Sequence, residues 1–307
     1  MTDRVRIGVA GGGLMGCGIA TQMAVAGHAV RVCEVDETAA LRVPSRCAAI
    51  LDELMAGRVL DEAAARDALA RIQVMRDVEA LADASTVFEA IREVLPDKHV
   101  LYERLEAVLA PEATLASTTS GFTPDDLARH LSRPDRFLVA HFWNPPHLVP
   151  LVEVLLTPAT RPAVLEGLEA LLRGAGCEPV LLKKAVPGFI GNRLQFAVLR
   201  EALHLLHEGV ADAQTIDRVM KLSIGKRYAA IGPLEGADVG GLETFLTISR
   251  YLMPELAKTE DALDALQAHT DRGERGRSSG QGFYTWDAAR EDWLRQVRLR
   301  LLTGGKG

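Results

Sequence analysis

The spacing of apolar residues changes character along the chain. Up to about Lys184, short runs rich in β-branched residues alternate with longer stretches in which apolar side chains recur at helical spacing. Residues 5–10 form an apolar run that ends in glycines, 14–27 have helical spacing, and 29–35 read as a second strand. Residues 44–80, rich in Ala, Leu, Arg and Glu, read as one or two surface-lying helices. Strand-like runs at 86–92 and 113–117 flank a helical stretch at 99–109. Two further apolar runs, 137–141 and 148–154, are separated by a proline-rich turn, and a helix at 162–174 leads to a last strand at 178–184. Such alternation predicts parallel strands joined by crossover helices.

From Pro187 onward the strong periodicities are helical. Pro187-Gly188 marks a helix start, with the helix running to Glu208 and Gly209 as its stop. Residues 213–222, 242–256 and 261–269 predict further helices, and the Gly/Arg/Ser stretch 272–282 a loop. The expected organisation is an α/β domain with a doubly wound sheet over residues 1–184, followed by an all-helical C-terminal domain over 185–307.

Composition narrows the function classes. The 307 residues fit two domains. Lys plus Arg is 35 and Asp plus Glu is 41, a net charge of −6, which argues against a nucleic-acid partner. With 48% hydrophobic and 25% charged residues the chain is an ordinary globular one, not a disordered or fibrous one. Cys17, Cys33, Cys47 and Cys177 form no CxxC pair, so neither a disulfide framework nor a zinc site is expected. The N-terminus lacks the apolar core of a signal peptide. The most apolar long stretch, 137–156, is interrupted by His141, Asn144, Glu153 and prolines, so no membrane association is expected. A cytoplasmic protein is the expectation.

Gly11-Gly12-Gly13-Leu14-Met15-Gly16 fits G-x-G-x-x-G between a predicted strand and a predicted helix. Gly11 permits the tight turn, Gly13 lets backbone approach a pyrophosphate, and Gly16 lets the helix pack against the strand, the pattern of a Rossmann-type dinucleotide site. The helix N-terminus, with Leu14 and Met15 in its first turn, offers free N–H groups to phosphate. Glu34, about 20 residues further on at the end of the second strand, suits the ribose 2′-hydroxyl. A carboxylate there repels the extra phosphate of NADP, and no arginine follows to compensate, so NAD is predicted. Asp36 reads as an exposed loop acid.

His141 ends one apolar run and Glu153 lies on the next. A strand, a turn and a returning strand bring them together, and a carboxylate beside imidazole fixes its tautomer and suits it to act as a general base. A lone histidine on an apolar run is more often a core residue, so its neighbours decide the matter. GGGLMGCGIA, EAIREVLPDK, STTS, HFWNPPHLVPLVEV, VPGFIGNRL and GRSSGQGFY, in that order, resemble the L-3-hydroxyacyl-CoA dehydrogenase family from about Arg4 to about Trp286. The resemblance implies a nucleotide-binding α/β domain followed by a helical domain that pairs two copies into a homodimer. It also implies a secondary alcohol β to a carbonyl as substrate, oxidised with hydride transfer to NAD. By position it implies His141 as base, Glu153 as its orienting partner, Ser120 of STTS beside the substrate oxygen and cofactor, and Asn192 of GFIGNRL completing the pocket. Glu93, Lys98 and Asn144 fall on positions that touch NAD.

The substrate end departs from that pattern. In acyl-CoA enzymes of the family, the helix after the second strand carries a serine and lysines for the CoA phosphates. Here the stretch reads CAAILDELMAGRVLDEA; the matching positions fall near Ile50 and Gly57, and only Arg58 supplies positive charge. NPPHLVPLVEV and GKRYAAIGPLE resemble relatives that act on small CoA-free carboxylates: lambda-crystallin (an L-gulonate 3-dehydrogenase), L-carnitine dehydrogenase and a pyridine-carboxylate dehydrogenase. Arg227 is then the candidate for pairing a substrate carboxylate, whereas Lys226 reads as a solvated charge. Two rivals remain. A non-catalytic, crystallin-like NAD-binding protein is opposed by the presence of Ser120, His141, Glu153 and Asn192 together. A dehydrogenase with a catalytic lysine in its helical domain is opposed by Asn192 and Arg193 in PGFIGNRL.

Overall fold

A computed structural model describes residues 5–258 and 262–303. By its contacts the chain divides into two units, one running through Phe189 and resuming at Leu294, the other Ile190–Trp293.

The first unit is built on one eight-stranded sheet. Its strands are β1 (Arg6–Ala10), β2 (Ala29–Cys33), β3 (Ile72–Met75), β4 (Thr86–Glu89), β5 (Thr114–Ser117), β6 (Phe137–Phe142), β7 (Leu151–Leu156) and β8 (Glu178–Leu181), in the order β3-β2-β1-β4-β5-β6-β7-β8. Strands β1 to β6 run parallel, β7 is antiparallel to β6, and β8 is parallel to β7. Helices α1 (Leu14–Val25), α2 (Glu37–Ala40), α3 (Val43–Ala56), α4 (Glu62–Ala70), α5 (Leu95–Val108), α6 (Pro124–Ala128) and α7 (Pro162–Gly174) connect them. Strands β4, β5 and β6 are buried at every position because helices cover both faces, which is why they read as continuous apolar runs. One core cluster gathers Ile7, Val9, Ile19, Met23, Leu51 and Leu172. The other gathers Leu81, Tyr102, Leu105, Leu127, Phe137 and Phe189. Helix α1 is buried on most sides and is accordingly made of small and apolar residues. The strand order reverses between β1 and β4, which opens a crevice at the carboxyl ends of those strands, where α/β sheets bind ligands.

Residues 44–80 depart from the helical expectation. Beside α3 and α4 they contain β3, a four-residue edge strand of mostly half-buried side chains. Four residues show too few alternations to separate strand from helix in the sequence.

The second unit contains α8 (Gly191–His207), α9 (Ala213–Leu222), α10 (Ile224–Tyr228), α11 (Pro233–Gly240), α12 (Leu242–Leu252), α13 (Ala262–Asp271) and the start of α14 (Ala288–Leu302). The expected first residue of α13, Asp261, lies outside the described residues. Helices α10, α11 and α14 were not anticipated from the periodicity. The expected loop 272–282 holds one short 3₁₀ turn at Arg277–Ser279 and an isolated antiparallel bridge between Gly276 and Gln281. Leu203 and Ala257 are the buried apolar side chains among the described residues of this unit. Among the described residues no helix is long and apolar enough to cross a membrane.

Candidate active site

The glycine-rich turn follows β1 and opens α1. Gly11 has φ +111°, a backbone that side chains rarely tolerate, and a Cβ on it would lie 2.6 Å from the Ala90 carbonyl oxygen. A Cβ on Gly16 would lie 1.9 Å from the Gly11 carbonyl oxygen. At Gly13 nothing lies within 4 Å of that position, so the backbone face is open to a close-fitting group. The first turn of α1, from Leu14 and Met15, carries no acidic side chain and no side-chain cap, leaving its positive end for an anion. These are the properties a dinucleotide pyrophosphate requires, and the residues fit that group.

Glu34 follows β2 and turns back toward this loop. Its Oε2 accepts from the Gly12 N–H (2.9 Å) and its Oε1 from the Asp36 N–H (3.0 Å). A carboxylate has about four acceptor sites, so capacity remains for ribose hydroxyls. Asp36 caps α2, accepting from the Ala39 N–H at 2.7 Å. Linear order offers no arginine to compensate Glu34, but Arg46 on α3 donates to the Gly12 carbonyl oxygen at 2.8 Å. Helical geometry, invisible in linear order, returns that cation to the turn.

His141 and Glu153 are register partners on β6 and β7. The His141 Nδ1 lies 2.9 Å from Glu153 Oε2, and both residues are buried. With a carboxylate at Nδ1, that nitrogen carries the proton and Nε2 is left as the basic nitrogen. The Trp143 indole N–H donates to the same Oε2 at 3.4 Å. The Phe189 ring packs against the imidazole with centroids 5.3 Å apart. Phe189 itself has φ +50°, a strained conformation for an aromatic residue, set just before α8. Asn144 follows Trp143 and is joined to Pro145 by a cis peptide bond. The next residue, Pro146, sits so close to α1 that a Cβ on Gly18 would come within 2.8 Å of its ring.

At the ends of β4 and β5 a second polar cluster surrounds Glu89, which is fully buried. Its carboxylate accepts from Lys98 Nζ (2.6 Å), Tyr102 Oη (2.7 Å), Ser117 Oγ (2.7 Å) and the Ile91 N–H (3.0 Å). Lys98 is buried too and its ammonium also lies 3.2 Å from Glu93 Oε2. Lys98, which the resemblance puts on a position that touches NAD, is thus a buried bridge between two carboxylates. Glu93 in turn accepts from the Thr119 hydroxyl and from the Ser120 N–H at 3.0 Å. Burial works against its ionisation, but Thr119, Lys98 and Ser120 outweigh it and hold its carboxyl below the usual range. The turn that carries Ser120 is thus tied to β4 and α5 through Glu93. Asn192 lies in the first turn of α8 and Arg227 in α10, both in the second unit.

Glu89, Phe189 and Thr119 were not singled out from the sequence. Glu89 had one signal: a lone acid in the apolar run TVFEA.

A glycine turn fitted to a pyrophosphate, an acid at the end of β2 and a buried His–Glu pair on the same sheet define an NAD-dependent oxidoreductase. The chain belongs to the 3-hydroxyacyl-CoA dehydrogenase family. Residues 6–185 match the family's NAD binding domain and 188–286 its C-terminal domain. The chain is 31% identical over 300 residues to 5-formyl-3-hydroxy-2-methylpyridine 4-carboxylate 5-dehydrogenase of Mesorhizobium japonicum, covering 96% of this chain and 95% of that protein. It is 35% identical over 289 residues to 3-hydroxybutyryl-CoA dehydrogenase of Bradyrhizobium diazoefficiens, covering 93% and 96%. Among solved structures, the 5-formyl-3-hydroxy-2-methylpyridine 4-carboxylic acid 5-dehydrogenase superposes with a TM-score of 0.87 at 30% identity, covering 98% of this chain and 97% of its own.

Proposed function

We propose that the protein oxidises a secondary hydroxyl β to a carbonyl or carboxylate, with His141 as general base. The observation that carries this reading is the buried His141–Glu153 pair, fixed by strand register at 2.9 Å. His141 Nε2 takes the hydroxyl proton while the carbinol C–H leaves as hydride, and the carbon becomes a carbonyl. NAD, held at the Gly11–Gly16 turn and Glu34, supplies the hydride acceptor at its nicotinamide ring. Glu153 stabilises the imidazolium that forms, and Trp143 and Phe189 line the imidazole. Ser120, held by Glu93, contacts the reacting oxygen, a role the family resemblance also implies for Asn192; Asn144, Glu93 and Lys98 shape the cofactor side. In the reverse direction His141 returns the proton to the carbonyl oxygen.

Two substrate classes carry this group: acyl-CoA thioesters and free hydroxy acids. The surface of α3 favours the free acid. Arg46, its one basic residue, is engaged with the Gly12 carbonyl, Arg58 is exposed just beyond it, and Glu53 is an acid. Little fixed positive charge remains there for phosphates. Arg227 is the residue proposed to pair the substrate carboxylate. The test is NADH formation by the pure protein from 3-hydroxybutyryl-CoA, compared with 3-hydroxybutyrate, gulonate, carnitine and hydroxylated pyridine carboxylates. Turnover of a free acid at least tenfold better than of the thioester supports the second class. No turnover of any of them overturns the catalytic reading and leaves a crystallin-like NAD-binding protein.

The same proposal includes a homodimer of a cytoplasmic protein. Apolar side chains in the second unit stand exposed in number, among them Phe196, Val219, Leu222, Leu242, Leu246 and Tyr251. A monomer rarely leaves such a surface to water, and a second copy of this chain covers it. Light scattering is expected to give twice 33.2 kDa, and Leu246→Arg is expected to shift the protein toward monomer.

A further inference from the structure

The match to the family ends at residue 286, yet the chain continues into α14. The last part of that helix belongs with the first unit. There Arg298 grips Glu53 of α3 with a two-pronged pair, Nε to Oε1 and Nη2 to Oε2, each 2.5 Å. Four residues on, Leu302 packs on the end of α3, so closely that a Cβ on Gly57 would fall 2.7 Å from it.

Glu53 also holds a third group. Its Oε2 lies 3.0 Å from Nε2 of His147, whose side chain is buried. His147 stands three residues after Asn144 in the loop that joins β6 to β7. That loop already rests on α1 through Pro146 and Gly18. Its Pro145 carbonyl accepts from the Leu148 and Val149 N–H groups, making a compact turn. His147 Nδ1 is buried with no hydrogen-bond partner among the described residues, so the ring is held at Nε2, by Glu53 at 3.0 Å and by Arg298 Nη2 at 3.4 Å. The loop that starts at the catalytic strand is therefore pinned at two points, and one of them depends on a helix outside the family's matched domains.

We propose that Arg298 is a positioning residue for the NAD reaction: through Glu53 and His147 it fixes the loop that carries Asn144. A bidentate guanidinium–carboxylate pair sets direction as well as distance. Without it the Glu53 carboxylate is free to rotate to solvent and the His147 ring loses its acceptor. The loop then samples several conformations, and binding of the cofactor must order it. The loss falls on cofactor affinity more than on the chemical step, because His141 is held separately by Glu153 across the β-ladder.

The proposal rests on the assignment of Asn144 to the cofactor, and the experiment separates the two. NAD dissociation constants are measured by titration calorimetry on the full-length protein, with kcat and KM for NAD alongside. Arg298→Ala is expected to raise Kd and KM for NAD about tenfold while kcat changes by less than about threefold. Arg298→Lys, which keeps the charge but not the fork, is expected to fall between the two. Glu53→Gln is expected to match Arg298→Ala, and the double variant to add little, since both break one linkage. If the single variants fold poorly, Glu53→Gln with Arg298→Met replaces the pair by groups of similar volume and is expected to fold and still bind NAD weakly. Asn144→Ala reports on the underlying assignment: an unchanged Kd there removes Asn144 from the cofactor site and the proposal with it. A raised Kd in Asn144→Ala with wild-type Kd and KM in Arg298→Ala, whatever its Tm, overturns the clasp alone.

Discussion

His141 and Glu153 face one another across the antiparallel β6–β7 ladder, so backbone register sets their 2.9 Å contact. A pair held this way needs no loop to close before the imidazole has its orientation and tautomer. His141→Ala is expected to lower kcat by a factor on the order of 10²–10⁴ with little change in NAD affinity. Glu153→Gln keeps the shape but removes the charge that stabilises the imidazolium, and a smaller loss, with a changed pH–rate profile, is expected. Steady-state rates from pH 6 to 10 check both, and wild-type turnover in His141→Ala removes the base assignment.

The glycine turn and the β6–β7 pair were legible because each is local. Gly11 and Gly16 answer steric demands within one turn, and His141 and Glu153 lie on two adjacent strands joined by a short connection. The Glu89 cluster was not legible: it gathers Lys98, Tyr102 and Ser117 from a helix and a second strand, and no spacing rule links them. Arg298 and Glu53 stand 245 residues apart in the chain, so the sequence shows two unrelated surface charges. Arg46 returned to the glycine turn for the same reason, through the packing of α3 on α1. Strand β3 was lost to its length.

Glu34 accepts from the Gly12 N–H, which holds a negative charge beside the turn meant for the pyrophosphate. NAD leaves that carboxylate facing neutral ribose hydroxyls, whereas NADP places a phosphate against it. The wild-type preference for NAD, in kcat/KM, is expected to fall by about tenfold or more in Glu34→Ser, equivalent to ~1.4 kcal/mol. An NADP preference already present in the wild type would contradict the reading of Glu34.

Lys98 and Glu89 are an ion pair with both partners buried. Removing one partner of such a pair leaves an uncompensated charge in the interior and costs about 3–5 kcal/mol. Lys98→Ala is expected to lose unfolding free energy of that order, read from its lowered midpoint in urea. Tyr102→Phe, which takes away one of four donors to Glu89, should cost about 1–3 kcal/mol. A Lys98→Ala protein of wild-type stability that has lost NAD binding would mark Lys98 as a cofactor ligand and not a structural bridge.

The acid side of the stability curve should show two steps, and their signs follow from four residues. Burial pushes His28 below the usual 6.5. It does the same to His147, where Glu53 opposes it incompletely. The unfolded chain therefore takes up protons on these histidines before the folded one does, and stability falls as pH drops below about 6.5. For Glu53 and Glu93 burial acts in the opposite sense, raising the carboxyl, but it is outweighed. Arg298 and His147 hold Glu53 below the usual 4.5, and Thr119, Lys98 and Ser120 hold Glu93 below it. Their stabilising contribution is complete above that value and is lost as pH falls through the lower folded values. Thermal midpoints at half-unit steps from pH 8 to pH 3.5 should thus decline gently from about 6.5 and more steeply below about 4.5. His147→Asn, with the amide donating to Glu53, should flatten the first step in part without touching the second. A midpoint constant between pH 7 and 5 would show that neither histidine is held neutral by burial.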